Sequence, residues 1–193
     1  HNLRNEAQVL AGHADIVASV PDEEQLRRSA AVLKRSADAV GSLAEGAKAI
    51  SRERDRPLDE YGPTDPLAVL GDAIEHARDR FPDVEFVLDA PDDLDASVHA
   101  SGGLRTAVDE LLENAAEHGE PPVEASVRVL PDAVELSVTD HGTGIPEHER
   151  DVVAGETEIT QLTHGSGLGL WVAKTVATAH GGSLSFEERE DAT

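Results

Sequence analysis

Apolar residues at Leu3, Ala7, Leu10, Ala14 and Val17 are spaced 4, 3, 4 and 3 apart, the alternation of a helix that buries one seam in a coiled coil or bundle. After the break "SVPDEE", where Pro21 and the acids behind it suit a helix start, Leu26, Ala30, Leu33, Ala37, Val40, Ala44 and Ala47 resume the same alternation. Two antiparallel helices are predicted. At 1.5 Å per residue, positions 22–52 reach roughly 46 Å and positions 1–18 about 27 Å, so the first helix reads as lacking its beginning. A lone hairpin exposes its apolar seam, and a second copy completing a four-helix bundle is the expected remedy.

The stretch "RERDRPLDEYGPTDP" has no periodicity and is broken by Pro57, Gly62, Pro63 and Pro66, which reads as a linker. Beyond it the pattern becomes mixed. A helix is predicted around 66–80, leading to "VEFVLDA" and a short "DASVHA", and then a helix from about Leu104 to His118. Two alternating strands follow, "EASVRVL" and "AVELSVTD", turning at Pro131 and Asp132. A glycine-punctuated loop covers 141–166, a helix 168–179, and "GSLSFEER" closes as a strand. Helices on one face of a mixed sheet make an α+β sandwich. The expected fold is therefore an α-helical hairpin, a four-helix bundle as the dimer, followed by that sandwich. The domains are 1–56 for the hairpin, 57–65 for the linker and 66–193 for the sandwich.

Charge narrows the partners. The 193 residues hold 39 Asp and Glu against 16 Lys and Arg, a net charge of −23, and no nucleic acid is expected as a direct partner because phosphate binding needs clustered Lys and Arg. Acidity with scarce lysine resembles the proteins of extreme halophiles, where screening shortens to about 3 Å at 1 M salt. Cysteine is absent, which excludes disulfides and thiolate metal sites. No apolar run approaches the roughly 20 residues of a membrane helix, and no signal peptide is evident. No direct membrane contact is expected of this segment, and the chain, which holds no Met, reads as an excerpt of a longer protein, soluble or membrane-anchored, in which any sensory or membrane part would lie upstream.

Three constellations carry chemistry. In "LRTAVDELLENAAEH", Leu104, Val108, Leu111, Leu112 and Ala115 form an apolar stripe, while Glu110, Asn114, Glu117 and His118 share an adjacent polar one. A carboxylate and a carboxamide one turn apart offer oxygens to Mg²⁺; a solvated helix face explains the same stripe. In "VTDHGTGIP", Asp140 ends a strand before Gly142 and Gly144. It suits acceptance of hydrogen bonds from an exocyclic amine such as that of adenine, or a capped glycine turn. In "HGSGLGLWVAK", Gly165, Gly167 and Gly169 precede a helix, an anion nest suited to phosphates. It is neither a Walker loop nor a Rossmann turn.

Taken in order, "HNLRN" on a bundle helix, "ELLENAAEH", "DHGTG", "GSGLGL" and "AHGGSL" resemble the H, N, G1 and G2 boxes of two-component sensor histidine kinases. The resemblance spans nearly the whole chain. It implies a dimerisation and histidine-phosphotransfer hairpin followed by an ATP-binding domain of the Bergerat (GHKL) type, shared with gyrase, Hsp90 and MutL. By the same resemblance His1 matches the phosphoacceptor, Asn114 the Mg²⁺-chelating asparagine and Asp140 the adenine-reading aspartate. Gly142 and Gly144 match the glycines beside the base. Gly165, Gly167 and Gly169, with Leu168 between them, match the phosphate loop. Asn5, one turn from His1, matches the residue that orients water for dephosphorylation of the regulator.

The implied reaction is attack of a neutral imidazole on the γ-phosphorus of ATP, followed by transfer to an aspartate of a response regulator receiver domain. The implied cofactors are ATP and Mg²⁺, and the implied location of this kinase core is the cytoplasm. The chain also departs from the family pattern. Asn2 stands where an acidic base is common, Glu6 replaces a frequent proline, and Glu117 stands where Lys is frequent. The lid carries only Arg150 and histidines against phosphate charge. Glu110 has two readings, a water-activating base as in related ATPases or an assistant to the metal or the attacking imidazole, and the latter is favoured by His1 upstream. His118 is a weaker nucleotide contact. A surface or packing role is expected for His13, His76, His99, His141, His148 and His164, and a structural one for His180. Two alternatives stand beside the kinase: a degenerate, dimeric nucleotide-binding scaffold, and an ATPase or serine kinase with the same nucleotide fold.

Overall fold

The computed structural model describes residues 8–12, 14, 17, 23–91, 94, 96–147, 150 and 167–187. Helix α1, Glu23–Arg54, leads into a short 3₁₀ turn, Leu58–Glu60, and strand β1, Gly62–Thr64. Helix α2 covers Pro66–Arg80, and strands β2, Phe86–Asp89, and β3, Val98–Ala100, follow. Helix α3 spans Gly103–His118, strands β4 and β5 span Val123–Val129 and Val134–Thr139, and helix α4 spans Gly167–Ala179.

The main sheet runs β2-β4-β5, with β2 parallel and β5 antiparallel to β4, and β1 pairs antiparallel with β3 in a separate two-stranded sheet. Alternation along β4 turns Val123, Ala125 and Val127 inward. On the other face, Ser126 and Ser137 share a cross-strand hydrogen bond of 2.8 Å.

Helix α2 starts on Asp65, whose side chain accepts from the N–H groups of Leu67 and Ala68, with Pro66 at the first helical position. Its Leu70, Ala73, Ile74 and Ala77 recur at helical spacing and meet Phe86, Val108, Leu112, Ala115 and β4 in the principal core. Helix α3 is covered on a second side: Ala107 packs with Val172, Ala173 and Val176 of α4, and Ala49 and Ile50 of α1 join them. Both flanks of α3 are thus held, which fixes the helix bearing the polar stripe.

One sequence expectation is refined and two change. The buried positions of α1 include Ser29 and Ser36, with Leu26, Leu33 and Val40 half-buried, whereas Ala30, Ala37, Ala44 and Ala47 are exposed. Within the single chain the covered positions of α1 thus run in 3-4 steps through the serines, and the alanines of the expected seam lie open, as a lone hairpin awaiting a second copy leaves them. The expected linker 57–65 carries β1, because Gly62, Pro63 and Thr64 register against Ala100, His99 and Val98. Residues 182–187 pair in no strand, although Leu184 packs on the α3–α4 cluster. Most of the expected first helix and of the 141–166 loop lies outside the described residues. Among those described, no helix is long and apolar enough to cross a membrane.

Candidate nucleotide site

Gly119, just past the end of α3, sets the first wall. A Cβ there would lie 2.6 Å from the Ala115 carbonyl oxygen and 2.5 Å from Cγ of Asp140, so only glycine lets the strand-end aspartate come this close to the helix. The Asp140 carboxylate accepts the Gly142 N–H at 2.8 Å, and His141 N–H donates to the Glu120 carbonyl at 3.0 Å. A Cβ at Gly142 would stand 2.9 Å from Asp140 Oδ1. Gly144 has φ +76°, a left-handed conformation that favours glycine. One oxygen of a strand-end carboxylate is thus tied to its own turn, and the loop beyond it is built for close approach.

Glu110 sets the other wall. Its Oε2 sits where a Cβ at Gly169 would come within 2.5 Å, which joins the middle of α3 to the first turn of α4. Burial, reinforced by neighbouring Glu113 and opposed by Arg80, pushes the Glu110 carboxyl up to about 7. Arg80 is itself engaged by both oxygens of Glu113, at 2.5 and 2.6 Å.

Of the residues singled out by sequence, the structure brings together Glu110 with Gly169, and Asp140 with Gly142. Asn114 is half-buried on the same helix as Glu110, one turn on, while His118 is exposed with Nε2 4.0 Å from Glu117. Gly167 and Leu168 lie in the first turn of α4. His1, Asn5 and Gly165 lie outside the described residues. Among those described, no three His, Cys, Asp or Glu side chains converge on one point. The Asn114 amide oxygen and the Glu110 carboxyl nevertheless fit Mg²⁺, which takes few protein ligands and fills its octahedron with water and phosphate oxygens.

Sequence reading missed a buried polar cluster around Glu53, at the opposite end of α3 from Asp140. Glu53, 3% exposed, accepts from Arg56 Nε at 2.9 Å, Tyr61 Oη at 3.0 Å and Ser101 Oγ at 3.1 Å. His180 Nε2 accepts the Ser101 N–H at 2.9 Å, so the ring proton sits on Nδ1 and is donated to the Val176 carbonyl at 2.7 Å. The His180 ring lies 5.0 Å from that of Tyr61. Burial, then the bond to Glu53, raises the Tyr61 phenol above its ordinary value and keeps it a donor. Within "RERDRPLDEY" nothing marks Glu53 as different from its exposed neighbours.

Residues 99–193 match the family of histidine kinase-, DNA gyrase B- and HSP90-like ATPases. Across 97% of its length the chain is 29% identical to the sensor-type histidine kinase PrrB of Mycobacterium tuberculosis. It is 32% identical, again over 97%, to the signal transduction histidine-protein kinase/phosphatase MprB of a Mycobacterium sp. (strain KMS). The chain belongs to the sensor histidine kinases.

It spans 43% of PrrB and 37% of MprB, less than half of either relative. The solved ATP-binding domain of PrrB from M. tuberculosis superposes with a TM-score of 0.55 at 29% identity, over 68% of this chain and 89% of that one. The histidine kinase AdeS of Acinetobacter baumannii shares the fold over 93% of this chain and 86% of its own, with a TM-score of 0.61 at 22% identity. The sandwich of this sensor histidine kinase is therefore of the Bergerat type, as its box order implied.

Proposed function

We propose that the chain is the ATP-dependent kinase core of a two-component system, with residues 1–56 as the phosphotransfer hairpin and 66–193 as the ATP-binding domain. In this reading it phosphorylates His1, passes the phosphoryl group to an aspartate of a response regulator, and with Asn5 dephosphorylates that regulator. The observation that carries the reading is the pairing of two walls on one helix. The end of α3 meets the adenine-type reader Asp140, and its middle meets the glycine turn at Gly169.

The neutral imidazole of His1 attacks the γ-phosphorus of ATP, the N–P bond forming as the bond to the β,γ-bridging oxygen breaks and ADP leaves, while the phosphate oxygens are held by the N–H groups that open α4. Asn114 would hold Mg²⁺, which neutralises developing phosphate charge. Glu110, divided between its two protonation states near neutrality and beside that turn, suits donation of a hydrogen bond to a phosphate oxygen when protonated or assistance to the metal when ionised. The exposed line Ala30, Ala37, Ala44 and Ala47 supports a homodimer, since small residues let a second helix approach closely.

The test is incubation of the full-length protein with γ-labelled ATP and Mg²⁺ in high salt. Acid-labile, alkali-stable label lost in His1→Gln, with ATP binding retained, is expected. Binding without label points instead to the scaffold, for which Asn2 and the poorly basic lid speak. Free phosphate independent of His1 points to the ATPase. Asp140→Asn is expected to lower nucleotide affinity by about tenfold or more, read by titration with a fluorescent ATP analogue, as a pair with a charged or well-formed acceptor is lost.

A further inference from the structure

Side chains from three chain segments converge on the Glu53 carboxylate. Arg56 and Tyr61 come from the stretch after α1, Ser101 from the end of β3, and His180, with Nδ1 3.8 Å from Glu53 Oε1, from the end of α4. The carboxylate also lies over the first turn of α3, where any Cβ on Gly103 would collide with Glu53 Oε2. There the Gly103 N–H is satisfied by Ser101 Oγ at 3.1 Å. A negative charge at a helix N-terminus is favoured by the helix dipole. The helix over whose first turn the carboxylate lies is the one that carries Glu110 and Asn114.

The arrangement has a direction. His180 meets Glu53 near the end of α1, while Ala49 and Ile50, one turn earlier on α1, pack against the cluster of Ala107, Val172, Ala173 and Val176. Helix α4 therefore runs alongside α1 in the same sense, and its glycine-rich first turn faces back along α1, away from Glu53. A buried carboxylate with three donors and one geometry fixes that direction, whereas packing through alanines and one isoleucine is less directional.

We infer that Glu53 is a positioning residue for phosphotransfer: its buried carboxylate latches the ATP-binding domain to the end of α1 and sets where the phosphate-binding turn points along that helix. The inference rests on the kinase reading above for its consequence, but not for its geometry. Removing the latch leaves the nucleotide walls intact and frees the domain to rotate on the 55–61 connector that precedes β1. Misplacement of a reacting phosphate by about 1 Å can cost on the order of a hundredfold in rate.

Because the chain has no cysteine, paired spin labels can be placed at Lys34→Cys on α1 and Asp132→Cys on the β4–β5 turn. With the doubly labelled chain diluted into excess unlabelled protein, so that distances across the proposed homodimer do not contribute, a single narrow distance distribution is expected with Glu53 present. With Glu53→Ala the distribution should broaden about twofold or more. The affinity for an ATP analogue should stay within about threefold, and in full-length protein autophosphorylation kcat should fall about tenfold at unchanged KM for ATP.

An unchanged narrow distribution overturns the latch, and so does a rate loss matched by an equal loss of nucleotide affinity. Should Glu53→Ala lose nucleotide binding through misfolding, Glu53→Gln keeps the shape and decides by the same criterion. A parent protein that binds nucleotide but takes no label on His1 overturns the kinase reading alone, and the distance measurement still judges the latch.

Discussion

Gly119 stands where α3 ends and Asp140 presses in, 2.5 Å from where a Cβ would be. Gly119→Ala must move a backbone carbonyl or the aspartate, and neither is the free end of a long side chain. A loss of about 1–3 kcal/mol is expected in urea unfolding, together with weaker nucleotide binding. Nothing in "AEHGEP" announces this, because the demand comes from a residue twenty-one positions later. Glu110 supports a pH prediction. Its folded pKa, about 7, lies above the ordinary carboxylate value, so the folded state resists its ionisation. The penalty is absent below about pH 4, grows as the unfolded carboxylate ionises, and is complete above pH 7. Glu110→Gln should therefore match the parent at pH 4 and exceed it at pH 8 by about 1–2 kcal/mol, discounted for partial solvent screening. A denaturation series across that range checks it, and a constant difference would count against the assigned burial. The carboxylate itself was visible in the sequence as part of a polar stripe. Its raised pKa was not, since desolvation depends on what α4 places over it.

Helices α2 and α3 were legible almost to the residue, since both carry apolar residues at helical spacing and α2 has a Pro at its first position after Asp65. Leu112, fully buried between α2 and β4, is the test of that packing. Leu112→Ala is expected to cost about 2–5 kcal/mol, read from the shift in urea midpoint at constant slope. Ala107, in contrast, faces the second cluster against Val172 and Val176 and was not in the expected stripe, because a helix covered on two sides blurs its own amphipathicity. The closing "GSLSFEER" alternates as a strand should, with Leu184 and Phe186 half-buried, yet residues 182–187 find no ladder partner. Alternation reports which face is covered. Pairing requires a neighbouring edge, which local pattern does not contain.

A net charge of −23 on 193 residues makes self-repulsion a property of the whole chain. Raising NaCl from about 0.1 to 1 M shortens the screening length from about 10 to 3 Å, so a rise in melting temperature is expected by scanning calorimetry, with the largest gain below 1 M. A flat response would remove the resemblance to halophilic proteins. The order of the boxes, the helix and strand periods and the excess acid are written locally in the chain, and they were enough to identify the family. Three things needed the folded molecule: the face of α1 that turns inward through Ser29 and Ser36, the pressure of Asp140 on Gly119, and the gathering of Tyr61, Ser101 and His180 around Glu53. Each depends on atoms brought together across long stretches of chain. Period and motif encode which side of an element is covered, but burial of a charge and the identity of its partners exist only once those distant segments meet.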